Sequence, residues 1–291
     1  MLFGNERHGG IDTGGKTRVP EFCLNRSVGY HNRRSILLVR SKKKPVLGKD
    51  GKPLSKAAIK LRLLKRLKCT TKYEKLAAES GAKFIAGVDE VGRGSLFGPV
   101  VAAAVILDPT YRIKGLRDSK LLPAETREIL SQRIREHCIA WSIAAVDVAR
   151  IDQLNIYWAS NLAMKHAVRG LSCQPDHLLI DAMKLDLECA QTSIIHGDAL
   201  SASIAAASII AKVHRDALVR EWAPVFPEYD LASNKGYSAP KHIKALREFG
   251  PSPLHRQSFA PVWMASAPQE VLEFMLEESA DSVVPPEVLE D

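Results

Sequence analysis

The stretch Phe84-Ile85-Ala86-Gly87-Val88-Asp89-Glu90-Val91-Gly92-Arg93-Gly94-Ser95-Leu96-Phe97-Gly98, continued by Pro99-Val100-Val101-Ala102-Ala103-Ala104-Val105-Ile106-Leu107, decides the fold. Residues 84–89 are apolar up to a pair of acids, residues 99–107 are apolar throughout, and a glycine-rich turn joins them. Short apolar runs bounded by turn residues read as buried strands. The unit is strand, turn, strand, with two carboxylates leaving the first strand.

Downstream, Pro123 stands near the first turn of a helix over residues 123–137, with Ile129, Leu130 and Ile134 on one face. Residues 139–148 read as a strand, and Leu154, Trp158 and Leu162 mark another helix. Residues 178–181 and 193–195 are short strands. Residues 201–222 form a long helix rich in small side chains, with Ala206, Ile210, Val213 and Ala217 at helical spacing. Strands and helices interleave without an internal repeat, which predicts α/β layers.

The flanks differ in kind. Residues 1–54 mix Gly, Arg, Asn and Ser with a Lys42-Lys43-Lys44 run and read as a disordered basic extension. Residues 55–82, with Leu61, Leu64, Leu67 and Leu76 among lysines and arginines, predict a basic amphipathic helix able to dock on the domain. The main domain covers residues 83–267, and residues 268–291 form an acidic tail with a helix expected over 269–278. The net charge of +8 on 291 residues hides a gradient: residues 1–83 hold 21 Lys and Arg against 6 Asp and Glu, and residues 268–291 hold none against 8. A basic arm fits a polyanion such as nucleic acid, or is a solvated tail.

Several classes are excluded. The longest uncharged apolar run, residues 98–107, is about half a membrane span. The first ten residues carry Glu6, Arg7 and His8 where a secretory signal needs an apolar stretch, so export is not expected. Five scattered cysteines without a CxxC pair argue against a disulfide framework or a zinc site, and for a reducing, cytoplasmic compartment.

The chemistry lies in where the acids fall. Three predicted strands end in carboxylates: Asp89-Glu90, Asp181 and Asp198. In a sheet with helical crossovers, side chains leaving the carboxyl ends of neighbouring strands converge on one crevice. Four carboxylates packed there repel one another unless cations neutralise them, and hard oxygen donors without His or Cys specify Mg²⁺ or Mn²⁺. Two such ions about 4 Å apart would suit phosphodiester hydrolysis. Any one of these acids alone reads equally as a turn residue. The glycines of Gly92-Arg93-Gly94 allow close backbone approach to a sugar or phosphate, or serve an ordinary hairpin turn.

Gly87-Val88-Asp89-Glu90-Val91-Gly92-Arg93-Gly94 and Gly98-Pro99-Val100-Val101-Ala102-Ala103-Ala104-Val105 resemble the opening motif of bacterial ribonuclease HII, a type 2 ribonuclease H. Asp118-Ser119-Lys120, Asp181-Ala182-Met183-Lys184-Leu185, Gly197-Asp198, residues 204–213, Arg215-Asp216 and Lys235-Gly236-Tyr237 follow in that family's order, so that the resemblance spans residues 83–262. Ser95 and Phe97 stand where the family commonly has Pro and Ala. Phe97-Gly98-Pro99 is similar to the sister group, ribonuclease HIII, whereas Arg93 and Tyr237 favour ribonuclease HII.

The resemblance implies a ribonuclease H-like fold: a central mixed sheet flanked by helices, with a small helical carboxy-terminal part. It implies that Asp89, Glu90, Asp181 and Asp198 bind two Mg²⁺ or Mn²⁺ ions and are catalytic. The substrates implied are the RNA strand of RNA/DNA hybrids and ribonucleotides embedded in duplex DNA, cut on the 5′ side to leave 3′-hydroxyl and 5′-phosphate ends. Gly92, Arg93 and Gly94 would sense the ribose 2′-hydroxyl, and Tyr237 would stack on the following deoxyribose. Lys120, Lys184 and Lys212 are candidate phosphate contacts or plain solvated side chains. Asp216 reads as a structural ion pair with Arg215, and His196 and His214 as packing or surface residues. A monomer is expected, and a replication-clamp partner for the tail is an open alternative. The competing functions are a ribonuclease HIII-like hybrid nuclease and a non-catalytic basic nucleic-acid-binding protein.

Overall fold

The computed structural model describes residues 66–267 continuously, together with Pro53, Ser55, Ala58, Ile59 and Arg62. The readings of the basic extension, Pro53 apart, and of the tail with its 269–278 helix lie outside the described residues.

The elements run α1 (Lys72–Glu79), β1 (Ile85–Val91), β2 (Val100–Leu107), a 3₁₀ turn (Ser119–Leu121), α2 (Ala124–His137), β3 (Cys138–Val146), α3 (Val148–Leu154), α4 (Ile156–Arg169), β4 (His177–Asp181), β5 (Ala190–Ile194), α5 (Gly197–Leu200), α6 (Ala202–Trp222), a second 3₁₀ turn (Pro227–Tyr229), α7 (Leu231–Asn234), α8 (Pro240–Phe249) and α9 (Ala260–Ser266). The sheet order is β3-β2-β1-β4-β5. β2 runs antiparallel to both neighbours, whereas β1, β4 and β5 are parallel, so the sheet is mixed, as expected. The carboxyl ends of the three parallel strands share one edge, where ligand crevices form in α/β sheets.

Alternation along the strands separates two cores. Ala86, Val88, Val100, Ala102, Ala104 and Ile106 pack on Ala159, Ala163, Met164 and Ala167 of α4. On the other face Val101, Ala103 and Val105 meet the Ala206, Ile209 and Ile210 stripe of α6 and Leu130 and Ile134 of α2. The fit there is close enough to dictate residue type. A Cβ on Gly87 would fall 2.0 Å from the carbonyl carbon of Ser203, so only glycine lets α6 lie this near β1. A third core joins Leu96 and Phe97 of the glycine-rich loop to Tyr229, Leu246 and Val262 of the carboxy-terminal helical part.

Two expected helices are corrected. The basic stretch over 55–82 is not one helix: residues 67–69 carry no regular structure, and Thr70 pairs with Ser201 before α1 begins. The amide of Thr70 donates to Leu200 O, and the amide of Ala202 donates to Thr70 O, an extended clasp that a helix would break. The helix marked by Leu154, Trp158 and Leu162 is two helices. Asn155 takes φ 66° between them and its Oδ1 caps α4 through the amides of Tyr157 and Trp158. The strand expected over 193–195 ends at Ile194, and Ile195 is exposed.

Candidate active site

Val88 of β1 pairs with Ile180 of β4, so one step further Asp89 lies beside Asp181 on the neighbouring strand. Asp89 is not at a strand end, because pairing with β2 carries β1 on to Val91. It faces α6, on the side occupied by Gly87, while Glu90 alternates to the opposite face. After β5 the chain turns through His196, at φ 59°, into α5, which carries Asp198. The amide of Gly197 donates to Asp181 Oδ1 at 2.7 Å, tying the third acid to the fourth. A Cβ at Gly197 would come 2.6 Å from Ile204 Cδ1 and 3.3 Å from Asp181 Oδ1, so a larger residue would make the Ile204 side chain shift beside the third acid.

The four carboxyl groups lie at one edge of the sheet, near enough for several of them to raise one another's pKa. Burial, then Glu90, Asp181 and Asp198, holds Asp89 well above the usual carboxylate range, against a hydrogen bond from Ser208. Burial also raises Glu90, opposed by Arg93 and reinforced by Asp181. Asp181 is raised by burial and by Asp198, against the Gly197 amide and Lys120. Two of the four nonetheless have a cationic partner: Arg93 lies 3.3 Å from Glu90 Oε1, and Lys120 Nζ lies 3.2 Å from Asp198 Oδ2. With the side chains so turned, no three His, Cys, Asp or Glu side chains among the described residues form a ready ion cage. Glu90 Oε2, however, is buried without a hydrogen-bond partner. An all-oxygen donor set that repels itself and keeps one orphaned oxygen suits a hard divalent cation.

The remaining expected residues divide. The glycine-rich loop and the Tyr237 segment are neighbours, because Ser95 and Tyr237 form an antiparallel bridge. The ring of Tyr237 lies 5.7 Å from Lys212 Nζ and 5.5 Å from the Arg215 guanidinium. Gly92 takes φ 94°, and its Cβ would lie 2.3 Å from Arg215 Nε; around Gly94 there is open space. Lys120 reaches the acids. Lys212 is held by Asp216 at 2.6 Å, and Asp216 also meets Arg127 at 3.6 Å, so the ion pair of Asp216 is with these two and not with Arg215. Lys184 is exposed and lines a groove with Tyr157 and Trp158, apart from the acids. The departures at Ser95 and Phe97 are absorbed by the fold: Ser95 Oγ accepts from Arg215, and Phe97 packs edge-on against Trp222, Phe226 and His255.

Sequence reasoning passed over three residues. Asp118 is buried, caps the 3₁₀ turn that carries Lys120, and is raised by burial and by Asp198; its place in the Asp118-Ser119-Lys120 motif was the signal. Glu74 Oε1 accepts from Ser201 Oγ at 2.6 Å and from the Ser203 amide at 2.8 Å. Arg256 lies behind the glycine-rich loop.

A five-stranded mixed sheet flanked by helices is the ribonuclease H-like α/β fold, and solved structures share it. The ribonuclease H2 of Pyrococcus horikoshii OT3 superposes with a TM-score of 0.56 at 24% identity, covering 63% of this chain and 97% of that one. Bst-RNase HIII in complex with Mn²⁺ gives 0.52 at 19%, covering 65% and 71%. The chain belongs to the ribonuclease HII family, whose sequence model, described as Ribonuclease HII, matches residues 86–262. The Ribonuclease HII of Koribacter versatilis (strain Ellin345) is 93% identical over 254 residues, 87% of this chain and all of that protein. That of Solibacter usitatus (strain Ellin6076) is 54% identical over 197 residues, 68% and 86% of the two. The chain is thus an endoribonuclease of the ribonuclease H type, and the non-catalytic alternative falls away.

Proposed function

We propose that this endoribonuclease depends on Mg²⁺ or Mn²⁺, cuts the RNA strand of RNA/DNA hybrids, and incises 5′ of ribonucleotides embedded in duplex DNA in the cytoplasm. The observation that supports it most is the convergence of Asp89, Glu90, Asp181 and Asp198 with Glu90 Oε2 buried and unpartnered. These four carboxylates would hold the ions. When bound, divalent ions of this kind lower the pKa of water to give a nucleophile and stabilise the leaving oxygen of a phosphodiester.

The chain's own residues do the rest. Gly94, with nothing within 4 Å of where a side chain would start, lets the backbone approach the ribose, where the 2′-hydroxyl marks RNA. Tyr237, fixed beside this loop through Ser95, offers its ring to the next sugar. Lys120 serves the substrate phosphate once Asp198 turns to a cation, since an ammonium acts as a point charge. Products with 3′-hydroxyl and 5′-phosphate ends follow when water attacks the phosphorus 5′ of the ribonucleotide, the P–O3′ bond breaks and the upstream O3′ leaves and takes up a proton.

The test is incision of duplex DNA carrying one ribonucleotide. Purified protein should nick it 5′ of the ribonucleotide with Mg²⁺ or Mn²⁺ and not in EDTA, and Asp89→Asn should abolish the cut. Cleavage of long hybrids with no incision at a single ribonucleotide would assign the ribonuclease HIII-like alternative instead.

A further inference from the structure

The loop of residues 92–99 is held from behind by two buried guanidinium groups that the chemistry above does not use. Arg215, on α6, donates from Nε to Pro99 O at 3.1 Å, from Nη1 to Lys235 O at 3.0 Å, and from Nη2 to Ser95 Oγ at 2.7 Å and Phe97 O at 2.9 Å. Arg256 donates from Nε to Gly98 O at 2.9 Å and from Nη1 to Arg93 O at 3.0 Å, while its Nη2 is buried with no partner. Both side chains are wholly enclosed, and among the described residues neither has a carboxylate within salt-bridge distance. Burial, with Arg215 nearby, brings the Arg256 guanidinium down to about 9.

Two neighbouring buried cations without counter-ions cost stability, and apolar side chains of similar volume would serve packing better. What the arginines do supply is direction. The backbone adds to their grip: Leu96 N donates to Gly236 O at 2.8 Å, Gly98 N to Leu254 O at 2.8 Å, and Arg256 N to Leu96 O at 2.9 Å. His242 Nδ1 meets Tyr237 O at 2.9 Å. The loop, the Tyr237 segment and the chain around Arg256 thus form one block, with the carbonyls of Arg93 and Gly98 turned inward onto a single planar fork.

We infer that Arg256, assisted by Arg215, is a positioning residue that sets the enzyme's selectivity for a lone ribonucleotide, by fixing the Gly92-Arg93-Gly94 backbone and the Tyr237 ring in one relative geometry. Being enclosed, Arg256 touches no substrate and acts through the loop. The inference rests on the proposed reading of that loop as the sensor of the 2′-hydroxyl. A lysine cannot replace the guanidinium, because a single ammonium does not aim two fixed donors at two carbonyls.

The test uses the full chain with Arg256→Lys. On duplex DNA with one ribonucleotide kcat/KM falls by about thirtyfold or more, chiefly in kcat; on a long RNA/DNA hybrid it falls by about threefold or less, because many positions there offer a 2′-hydroxyl. Thermal stabilisation by Mn²⁺ stays at the wild-type level, since the acids are untouched. Equal losses on the two substrates, or an unchanged ratio in a variant that melts cooperatively, overturn the inference. Should Arg256→Lys not fold, Ser95→Ala decides: it removes the hydroxyl that Arg215 grips and shifts the substrate ratio the same way, and a wild-type ratio overturns the inference. Gly94→Ala separates the two levels, because wild-type cleavage of both substrates by that variant removes the loop's backbone sensing role itself.

Discussion

Lys120 Nζ lies 3.2 Å from Asp198 Oδ2, so an ammonium at the acid cluster stands against a carboxylate proposed to hold a metal. Although desolvation disfavours its charge, Asp198, Asp89 and Asp118 keep Lys120 above the ordinary lysine range. The stabilisation this provides is fully present below the unfolded lysine pKa, hence throughout neutral pH.

Lys120 and a divalent ion therefore compete for Asp198. In Lys120→Met the metal-free protein loses its internal counter-ion and melts lower, while Mn²⁺ raises the melting temperature by more than in wild type. Calorimetric titration should show Mn²⁺ binding tightened by a few-fold, about 0.5–1 kcal/mol, the scale of a partly exposed charge pair. Weaker Mn²⁺ binding in the variant would show that Lys120 assists the ion instead of standing in for it.

Asp89→Asn should separate stability from activity. The fold holds this carboxyl well above its ordinary range, chiefly by burial and then by Glu90, Asp181 and Asp198. The unfolded chain therefore gives up its proton first, near pH 3.9, and the stability gained from the neutral form is lost as pH rises from there through the folded pKa. In EDTA at pH 7, Asn removes the cost of placing an ionisable carboxyl here while keeping an oxygen for the Glu90 amide, which donates to Asp89 Oδ1 at 2.8 Å. The variant should melt a few degrees above wild type, at about 2–4 °C per kcal/mol, and below about pH 4 the two should coincide. Cleavage is lost at every pH. A variant that melts lower at pH 7 in EDTA would contradict the repulsion described.

Gly92 and Gly94 should respond differently although they are two residues apart. Alanine at Gly92 needs φ near 94° and puts a Cβ 2.3 Å from Arg215 Nε, so the variant should lose roughly 1–3 kcal/mol of stability. Alanine at Gly94 meets nothing within 4 Å, so the melting temperature should stay within about 2 °C of wild type. Its cleavage should fall by about tenfold or more, because the methyl group stands where the substrate backbone must approach. If Gly94→Ala cleaves as wild type does, the loop's close approach to the ribose is not part of the reaction.

How far the sequence was legible depended on the range of each interaction. Asp89, Asp181 and Asp198 stood out because strand periodicity is local and each acid closes an apolar run. The same runs gave α/β layers, and that the sheet is mixed came from the resemblance. Tyr237 had no local signal and was found through its motif alone. Arg256 had none of either kind, since its role is a hydrogen bond to Arg93 O, 163 residues away. Asn155 was overlooked because one polar residue within an apolar helical pattern does not announce a positive φ; its cap on α4 does, once the backbone is seen. Residues 67–71 looked helical for the converse reason: their spacing is right, and only the clasp of Thr70 on Ser201 overrides it.

Glu74 is the remaining long-range contact, and it couples α1 to the acid cluster. Its Oε1 takes Ser201 Oγ at 2.6 Å and Ser203 N at 2.8 Å, at the start of α6 and directly after α5, which carries Asp198. Glu74→Ala leaves a buried hydroxyl and an amide at a helix start unsatisfied, which costs about 1.5–3 kcal/mol for hydrogen bonds to a charged group and lowers the melting temperature by roughly 3–12 °C. Glu74→Gln retains an acceptor oxygen in the same place and should lose much less. Because the clasp of Thr70 on Leu200 and Ala202 brackets the same junction, Glu74→Ala should also weaken Mn²⁺ binding severalfold, with Gln restoring most of it. Equal melting temperatures for the Ala and Gln variants would mean that the accepted hydrogen bonds contribute nothing. Unaltered Mn²⁺ binding in Glu74→Ala would mean that Asp198 is held by α5 alone.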